Sequence, residues 1–326
     1  MTFKAFLKKS FSNEKSIYLL YIVVFSLATL HRIFFTETPF NNYDIFRYSF
    51  SNLLDNNNLY LEYPEYYFDL YKYNPSFAVF MAPFWLLPKG LGVIIWNLIN
   101  ALLPVYAVNK LKIPLKAKVF FAFFILIELL TSIQNAQSNG LMLGLMILLF
   151  VQFENKNTFL AALMMILGFF IKIFVIVGGI LFLFYPSKKQ FILWSGFLVI
   201  GFGVLPAFFI GFESLVQQYQ NWWQLLINDK PHELNYSIMS FFEKAVNIHI
   251  PQIYYLLFGT IVLLLPLLRR QFYSNFTWRI TYLSAILVWV VIFNHKAESP
   301  TFVIAMAGAA LWFLASKKTT FRWSLL

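Results

Sequence analysis

A small set of polar residues stands out against a strongly apolar sequence, and their types suggest proton transfer and anion binding. Asp44 lies in Asn41-Asn42-Tyr43-Asp44-Ile45-Phe46-Arg47-Tyr48, among aromatic rings and shortly after a long apolar run. Partial desolvation there raises a carboxylate's pKa and suits it to take a proton from a hydroxyl. Capping a helix or pairing with Arg47 would occupy the same group structurally. Lys172 stands inside Gly168-Phe169-Phe170-Ile171-Lys172-Ile173-Phe174. An ammonium in such a run costs at least about 2.5 kcal/mol on insertion scales unless it faces a partner or a cavity. It is therefore expected to pair an anionic group, with snorkelling as the alternative. Gln137-Ser138-Asn139 interrupts two short apolar runs, where the amides can satisfy broken-helix backbone or bind a sugar or phosphate. Asn294-His295-Lys296-Ala297-Glu298-Ser299-Pro300 gathers an imidazole, an ammonium and a carboxylate, either as a site or as a charged loop.

Other polar residues fit structural roles first. Pro75, in Tyr71-Lys72-Tyr73-Asn74-Pro75-Ser76-Phe77, suits a first helical turn, and the tyrosines suit an interface. Asn235-Tyr236-Ser237 opens a late apolar segment, and Glu128 is expected to be paired structurally. The four histidines are scattered, and no phosphate loop, dinucleotide glycine fingerprint, metal-binding histidine pair or serine elbow occurs.

The elements that must position these groups follow from composition. Of 326 residues, 60% are hydrophobic and only 12% charged, and mean hydropathy is +0.67. A soluble surface needs about a quarter of residues charged, so an ordinary cytosolic globule is excluded. The 40 Phe, 18 Tyr and 9 Trp suit a lipid-facing surface with interfacial belts. Zero cysteines exclude disulfides, thiolate nucleophiles and Cys-based metal sites. The net charge of +11 is spread in short basic clusters between apolar runs, which is positive-inside punctuation rather than a nucleic-acid surface.

The expectation is an all-α polytopic membrane bundle of about 9–11 membrane helices, some short or re-entrant, in one integral domain over 1–326. Residues 16–35 form the first membrane helix with a cytoplasmic N-terminus. Residues 36–74 form a long extracytoplasmic loop holding six of the 14 acidic residues, 75–315 the remaining bundle, and 316–326 a cytoplasmic tail. One conflict arises. If both apolar runs between Pro75 and Val108 cross fully, the Lys110–Lys118 cluster lands outside, against the positive-inside rule; either that pair is re-entrant or the rule fails locally.

The order of these signals resembles glycosyltransferase family 87 of the GT-C membrane glycosyltransferases. The resemblance rests on Asp44 to Tyr48, Asn58 and Tyr60, Tyr71, Tyr73 and Pro75 with Pro83 and Pro88, Gln137 and Asn139, Lys172, and Asn235 with Ser237. Ala136 stands where the family has Gly, and Val175 near the place of its usual Pro. The resemblance implies inverting transfer of a sugar, often mannose, from a polyprenyl-phosphate carrier to an extracytoplasmic lipid or glycan hydroxyl. It further implies a multi-pass protein of the cell inner (plasma) membrane. Asp44 is then the expected catalytic base and Glu298 a second carboxylate. Lys172, Arg47, His295 and Lys296 are expected at the donor phosphate, and Tyr73, Gln137, Asn139, Asn235 and Glu298 at the sugar or acceptor. No cofactor or metal is expected, and no nucleic-acid partner. A transporter or lipid flippase, or a purely scaffolding subunit, shares the composition; against transport stands the absence of an internal repeat.

Overall fold

A computed structural model describes residues 14–36, 40–229, 236–247 and 250–316. Among them helix is the dominant regular structure and there is no strand. The α-helices are α1 (Glu14–Phe35), α2 (Asn41–Leu54), α3 (Pro75–Phe80), α4 (Ala82–Leu86), α5 (Lys89–Asn109), α6 (Leu115–Gln134) and α7 (Asn139–Glu154). They continue with α8 (Thr158–Ile171), α9 (Lys188–Val204), α10 (Ala207–Asn228), α11 (Ile238–Ala245), α12 (Gln252–Leu264), α13 (Phe276–Ile292) and α14 (Phe302–Ala315). A 3-10 helix, Ile173–Phe184, follows α8.

Three of these, α1, α5 and α6, are long and apolar enough to cross a membrane, and a fourth span results if α9 and α10 are taken together across their 92° bend. Shorter apolar helices of 10–17 residues complete the bundle. The chain is a membrane protein. The bend between α9 and α10 is followed within α10 by Gly211 at φ 77, ψ 165, a conformation essentially restricted to glycine.

Short helices α3 and α4 resolve the conflict over the lysine cluster. Their six and five residues rise only about 1.5 Å each, far too little to span hydrocarbon. Only α5 crosses between Pro75 and Val108, so Lys110–Lys118 returns to the end where α1 begins. Lys118 Nζ indeed lies 3.2 Å from Glu14 Oε1 and donates to the Asn109 carbonyl at 2.7 Å.

Helix α7 is the centre of the bundle: 13 of its 16 residues are buried, as expected of a helix apolar all round. Gly140 and Gly144 let α5 approach it closely. A Cβ on Gly140 would stand 2.1 Å from the Asn100 carbonyl oxygen, and one on Gly144 2.5 Å from Leu103 Cγ. Small residues four apart are the usual device for close helix contact in lipid. On the Lys118 end, Glu154 at the end of α7 receives two hydrogen bonds from Arg279 of α13, at 2.6 and 2.9 Å, and another from the Tyr185 hydroxyl.

The opposite end departs from the expected long loop. Residues 41–54 form the 14-residue helix α2, and only the chain after Leu54 is irregular before α3. That irregular stretch is held by side chains rather than by a ladder. Asn58 Oδ1 accepts from the Tyr60 amide, Tyr60 donates to the Tyr73 carbonyl, and Tyr71 to the Asn74 carbonyl. Gln218 of α10 pins it from above, donating to the Asn57 carbonyl at 2.7 Å and accepting from the Leu59 amide at 3.2 Å. Pro75 occupies the first turn of α3 as predicted, with Asn74 capping it through the Ser76 amide. Glu128, expected to be paired, forms no ion pair among the described residues.

Candidate functional site

Two interruptions in the helical bundle create the site. Between α6 and α7 the backbone turns at Ala136, whose φ of 47 is left-handed, a conformation costing a non-glycine residue about 1–2 kcal/mol. Side chains of α5 satisfy the broken backbone: Trp96 Nε1 donates to the Ala136 carbonyl at 2.9 Å, and Asn100 Oδ1 accepts from the Leu141 amide at 2.9 Å. Gln137, Ser138 and Asn139 are buried there. The second interruption falls at Lys172, which is extended (φ −136, ψ 115) between α8 and the 3-10 helix.

The two breaks face each other. Lys172 Nζ donates to Asn139 Oδ1 at 2.7 Å and to Gln137 Oε1 at 3.2 Å. Gln137 Nε2 donates in turn to Glu298 Oε2 at 3.2 Å. Gln137 therefore links the Lys172 ammonium to a carboxylate, using its oxygen toward one and its nitrogen toward the other. No lysine or arginine forms an ion pair with Glu298 among the described residues.

These groups open onto a cavity of about 570 Å³. Lys172, Gln137, Tyr73, Glu298, His295 and Lys296 line it, with Asn42, Asp69, Lys72 and Trp222. Much of the remaining wall is apolar: Phe169, Ile173, Ile176, Leu256, Trp289 and Phe293 contribute. Ile173 and Ile176 are 44% and 45% exposed, so this wall is open at its apolar side. Beyond Trp289 and Phe293 lies a second, almost wholly apolar cavity of about 400 Å³ between α12, α13 and α14, and both rings line both spaces.

The mouth is charged. Lys72 Nζ lies 3.2 Å from Asp69 and 3.7 Å from Asp229, and Lys296 Nζ also donates to Asp229. His295 Nδ1 meets Gln252 Nε2 at 2.8 Å. Burial, and next the neighbouring Lys296 charge, push the imidazole pKa below its usual value, with Asp229 opposing.

Asp44 and Arg47 lie elsewhere. Asn42 and Ile45 of α2 line the cavity, whereas Asp44, two residues on from Asn42, is turned about 200° round the helix. Its Oδ2 accepts from Lys89 Nζ at 2.8 Å, and its Oδ1 is buried without a partner. Burial raises its pKa above the ordinary carboxylate value, opposed by the Lys89 hydrogen bond and charge and by Arg47. Arg47 does not pair with it: the guanidinium donates to the carbonyls of Phe84, Trp85 and Leu87 and stacks 4.8 Å over Trp85. Asn139 is not part of the cavity surface and acts through Lys172 and Gln137. Asn235 lies outside the described residues; Ser237, its motif partner, caps α11 through the Ser240 amide. Sequence reasoning missed Asp69, Lys72, Asp229 and Trp222. Lys72 was embedded in a tyrosine-rich string that already had an interfacial explanation, and Asp229 gave no signal beyond closing an amphipathic stretch.

Among the described residues no group of three or more His, Asp or Glu side chains is arranged to hold a metal ion. The family model for glycosyltransferase family 87 matches residues 71–317. No curated protein and no solved structure matches the chain.

Proposed function

The chain belongs to glycosyltransferase family 87, and from that premise we propose that it transfers a hexose, such as mannose, from a polyprenyl-phosphate carrier to a lipid or glycan hydroxyl. The observation that carries this is the cavity's composition. Charged and amide groups at one end suit a sugar phosphate, and an apolar wall leading through Trp289 and Phe293 to a second apolar cavity suits a hydrocarbon tail. A volume of about 570 Å³ is in the range of sites that enclose a small ligand headgroup.

The chemistry is a single displacement with inversion. The acceptor oxygen attacks the anomeric carbon as the bond from that carbon to the phosphate oxygen breaks. The acceptor proton passes to a carboxylate, and the departing phosphate takes the negative charge. We assign the base to Glu298, the cavity carboxylate bonded to Gln137 and unpaired with any described cation. Lys172, Gln137 and Asn139 hold that carboxylate and the sugar in register; Tyr73 and His295 shape the pocket around them. Asp44 supports a second reading, because its unpartnered buried oxygen and raised pKa suit a proton acceptor if α2 turns toward the cavity.

The Glu14–Lys118 end carries the basic clusters, so the positive-inside rule puts it in the cytoplasm. The cavity, at the other ends of α1 and α5, then faces outward from an inner (plasma) membrane in a GT-C-like bundle. Purified protein given radiolabelled polyprenyl-phosphate mannose or glucose and a lipid extract should move label to lipid or glycan. Transfer from a nucleotide sugar instead, with none from the lipid-linked donor, refutes the proposal.

A further inference from the structure

Four charged side chains from three separate elements meet at the cavity mouth, and the transfer chemistry above uses none of them as a unit. Asp69 and Lys72 end the irregular stretch before α3, Asp229 caps the end of α10, and Lys296 follows α13. Asp229 is shared: Lys72 Nζ lies 3.7 Å from its Oδ1, and Lys296 Nζ donates to its Oδ2. One carboxylate thus joins two ammonium groups that would otherwise repel each other. Both lysines line the cavity, whereas Asp229 does not and sits behind them with its side chain 12% exposed.

The backbone of each lysine is anchored by a hydrogen bond, whereas its side chain is held only through its ammonium group. The Lys72 carbonyl accepts from Trp222 Nε1 at 3.3 Å, and the Lys296 amide donates to Asn294 Oδ1 at 3.0 Å. Beyond those anchors run flexible four-carbon stems ending in compact charges. A phosphate offers ammonium groups the same kind of charged oxygen acceptor as a carboxylate. We propose that Lys72 and Lys296 clamp the phosphate of the lipid-linked donor, and that Asp229 is the internal anion which holds the two ammonium groups together until that phosphate displaces it. The inference rests on the polyprenyl-phosphate reading. It gives the mouth lysines the phosphate and leaves Lys172 to the amide network.

A clamp of this type acts on the reaction as well as on binding. A glycosyl phosphodiester carries one negative charge, and the released phosphate monoester approaches two near neutral pH, its second pKa being about 6. Two ammonium groups favour the more charged species, so they stabilise charge that grows as the bond to the sugar breaks. Release of product then returns the lysines to Asp229.

The test is equilibrium binding by the full-length protein in detergent, followed by tryptophan fluorescence, because Trp222 and Trp289 line the cavity. The probes are farnesyl phosphate, farnesol and inorganic phosphate. Lys72→Gln and Lys296→Gln should each weaken farnesyl phosphate binding at least tenfold and leave farnesol unchanged. Lys72→Arg, which keeps the charge, should bind within threefold of the unaltered protein, separating loss of the clamp from misfolding. Asp229→Asn should tighten farnesyl phosphate at least threefold by removing its competitor. Inorganic phosphate should bind at least tenfold more weakly than farnesyl phosphate; equal affinity would assign the clamp to free phosphate and overturn the lipid-linked ligand. Lysine variants that bind farnesyl phosphate normally, or weaker binding by Asp229→Asn, overturn the clamp while the donor assignment stands. Failure of the unaltered protein to bind farnesyl phosphate overturns both.

Discussion

Replacing Gln137 by Leu removes a side chain that bonds to both the Lys172 ammonium and the Glu298 carboxylate. Two hydrogen bonds disappear, Lys172 Nζ to Gln137 Oε1 and Gln137 Nε2 to Glu298 Oε2, each 3.2 Å long and each involving a charged group. Bonds to charged groups contribute about 1.5–3 kcal/mol, so about 3–6 kcal/mol of local ordering is at stake. Lys172 keeps Asn139 at 2.7 Å, which limits the change on that side and leaves Glu298 the more affected partner. If half of the total is felt in the transition state, the barrier rises by about 1.5–3 kcal/mol, or about 10- to 150-fold in rate. The expected result is a fall in kcat of that size, with the acceptor KM changed less than kcat. Steady-state transfer of radiolabelled sugar measures both. Gln137→Glu separates loss of the link from loss of volume, since it retains an oxygen for Lys172 but sets a like charge against Glu298, and it should be at least as inactive. Full activity in Gln137→Leu would refute the claim that this network positions the reacting groups.

Other perturbations address the frame and the mouth. Glu154→Gln breaks the bidentate pair with Arg279, whose side chains are only 10% and 12% exposed, and should cost about 3–5 kcal/mol, read as a lower Tm in detergent. A double variant with Arg279→Met should recover part of that loss; no difference between single and double variants would mean that no buried charge had been stranded. Gly140→Ala places a methyl group 2.1 Å from the Asn100 carbonyl and should destabilise by about 1–3 kcal/mol as α5 and α7 part, also visible in Tm. His295 is held below its usual pKa of 6.5, so its neutral form belongs to the folded state. The stability it contributes is complete above about pH 6.5 and is lost as pH falls through the lower folded value, so Tm should drop on that acid side. His295→Gln should flatten that part of the pH profile, and an unchanged profile would assign it to another group.

Much of this architecture was legible because lipid imposes simple rules. The first span is written as an uninterrupted apolar stretch, and the described residues Glu14–Phe35 are helical. Gln137, Asn139 and Lys172 announced themselves because polar groups in hydrocarbon must find partners, and they find one another. Hydropathy does not encode which face of a short helix turns inward. Asp44 and Asn42 are two residues apart, yet only Asn42 reaches the cavity, because α2 rotates them to opposite sides. Helix α2 itself was hidden by its polar composition, which reads as loop unless tertiary packing holds it. Lys72 and Asp229 are distant in sequence and meet only because Gln218 and Trp222 seat α10 on the irregular stretch before α3.

The proposed sugar transfer takes place in the cavity between the two helix breaks, with Glu298 receiving the acceptor proton. Its most direct test is the single-turnover rate of label transfer from a radiolabelled polyprenyl-phosphate sugar, comparing Glu298→Gln with Asp44→Asn. A positioned general base contributes about 10²–10⁴ in rate. A loss of that size is expected in Glu298→Gln, whose amide can still accept from Gln137, and a loss of less than about tenfold in Asp44→Asn. A Glu298→Gln enzyme that transfers label at the full rate, beside an inactive Asp44→Asn enzyme, would contradict this assignment and move the proton transfer to α2.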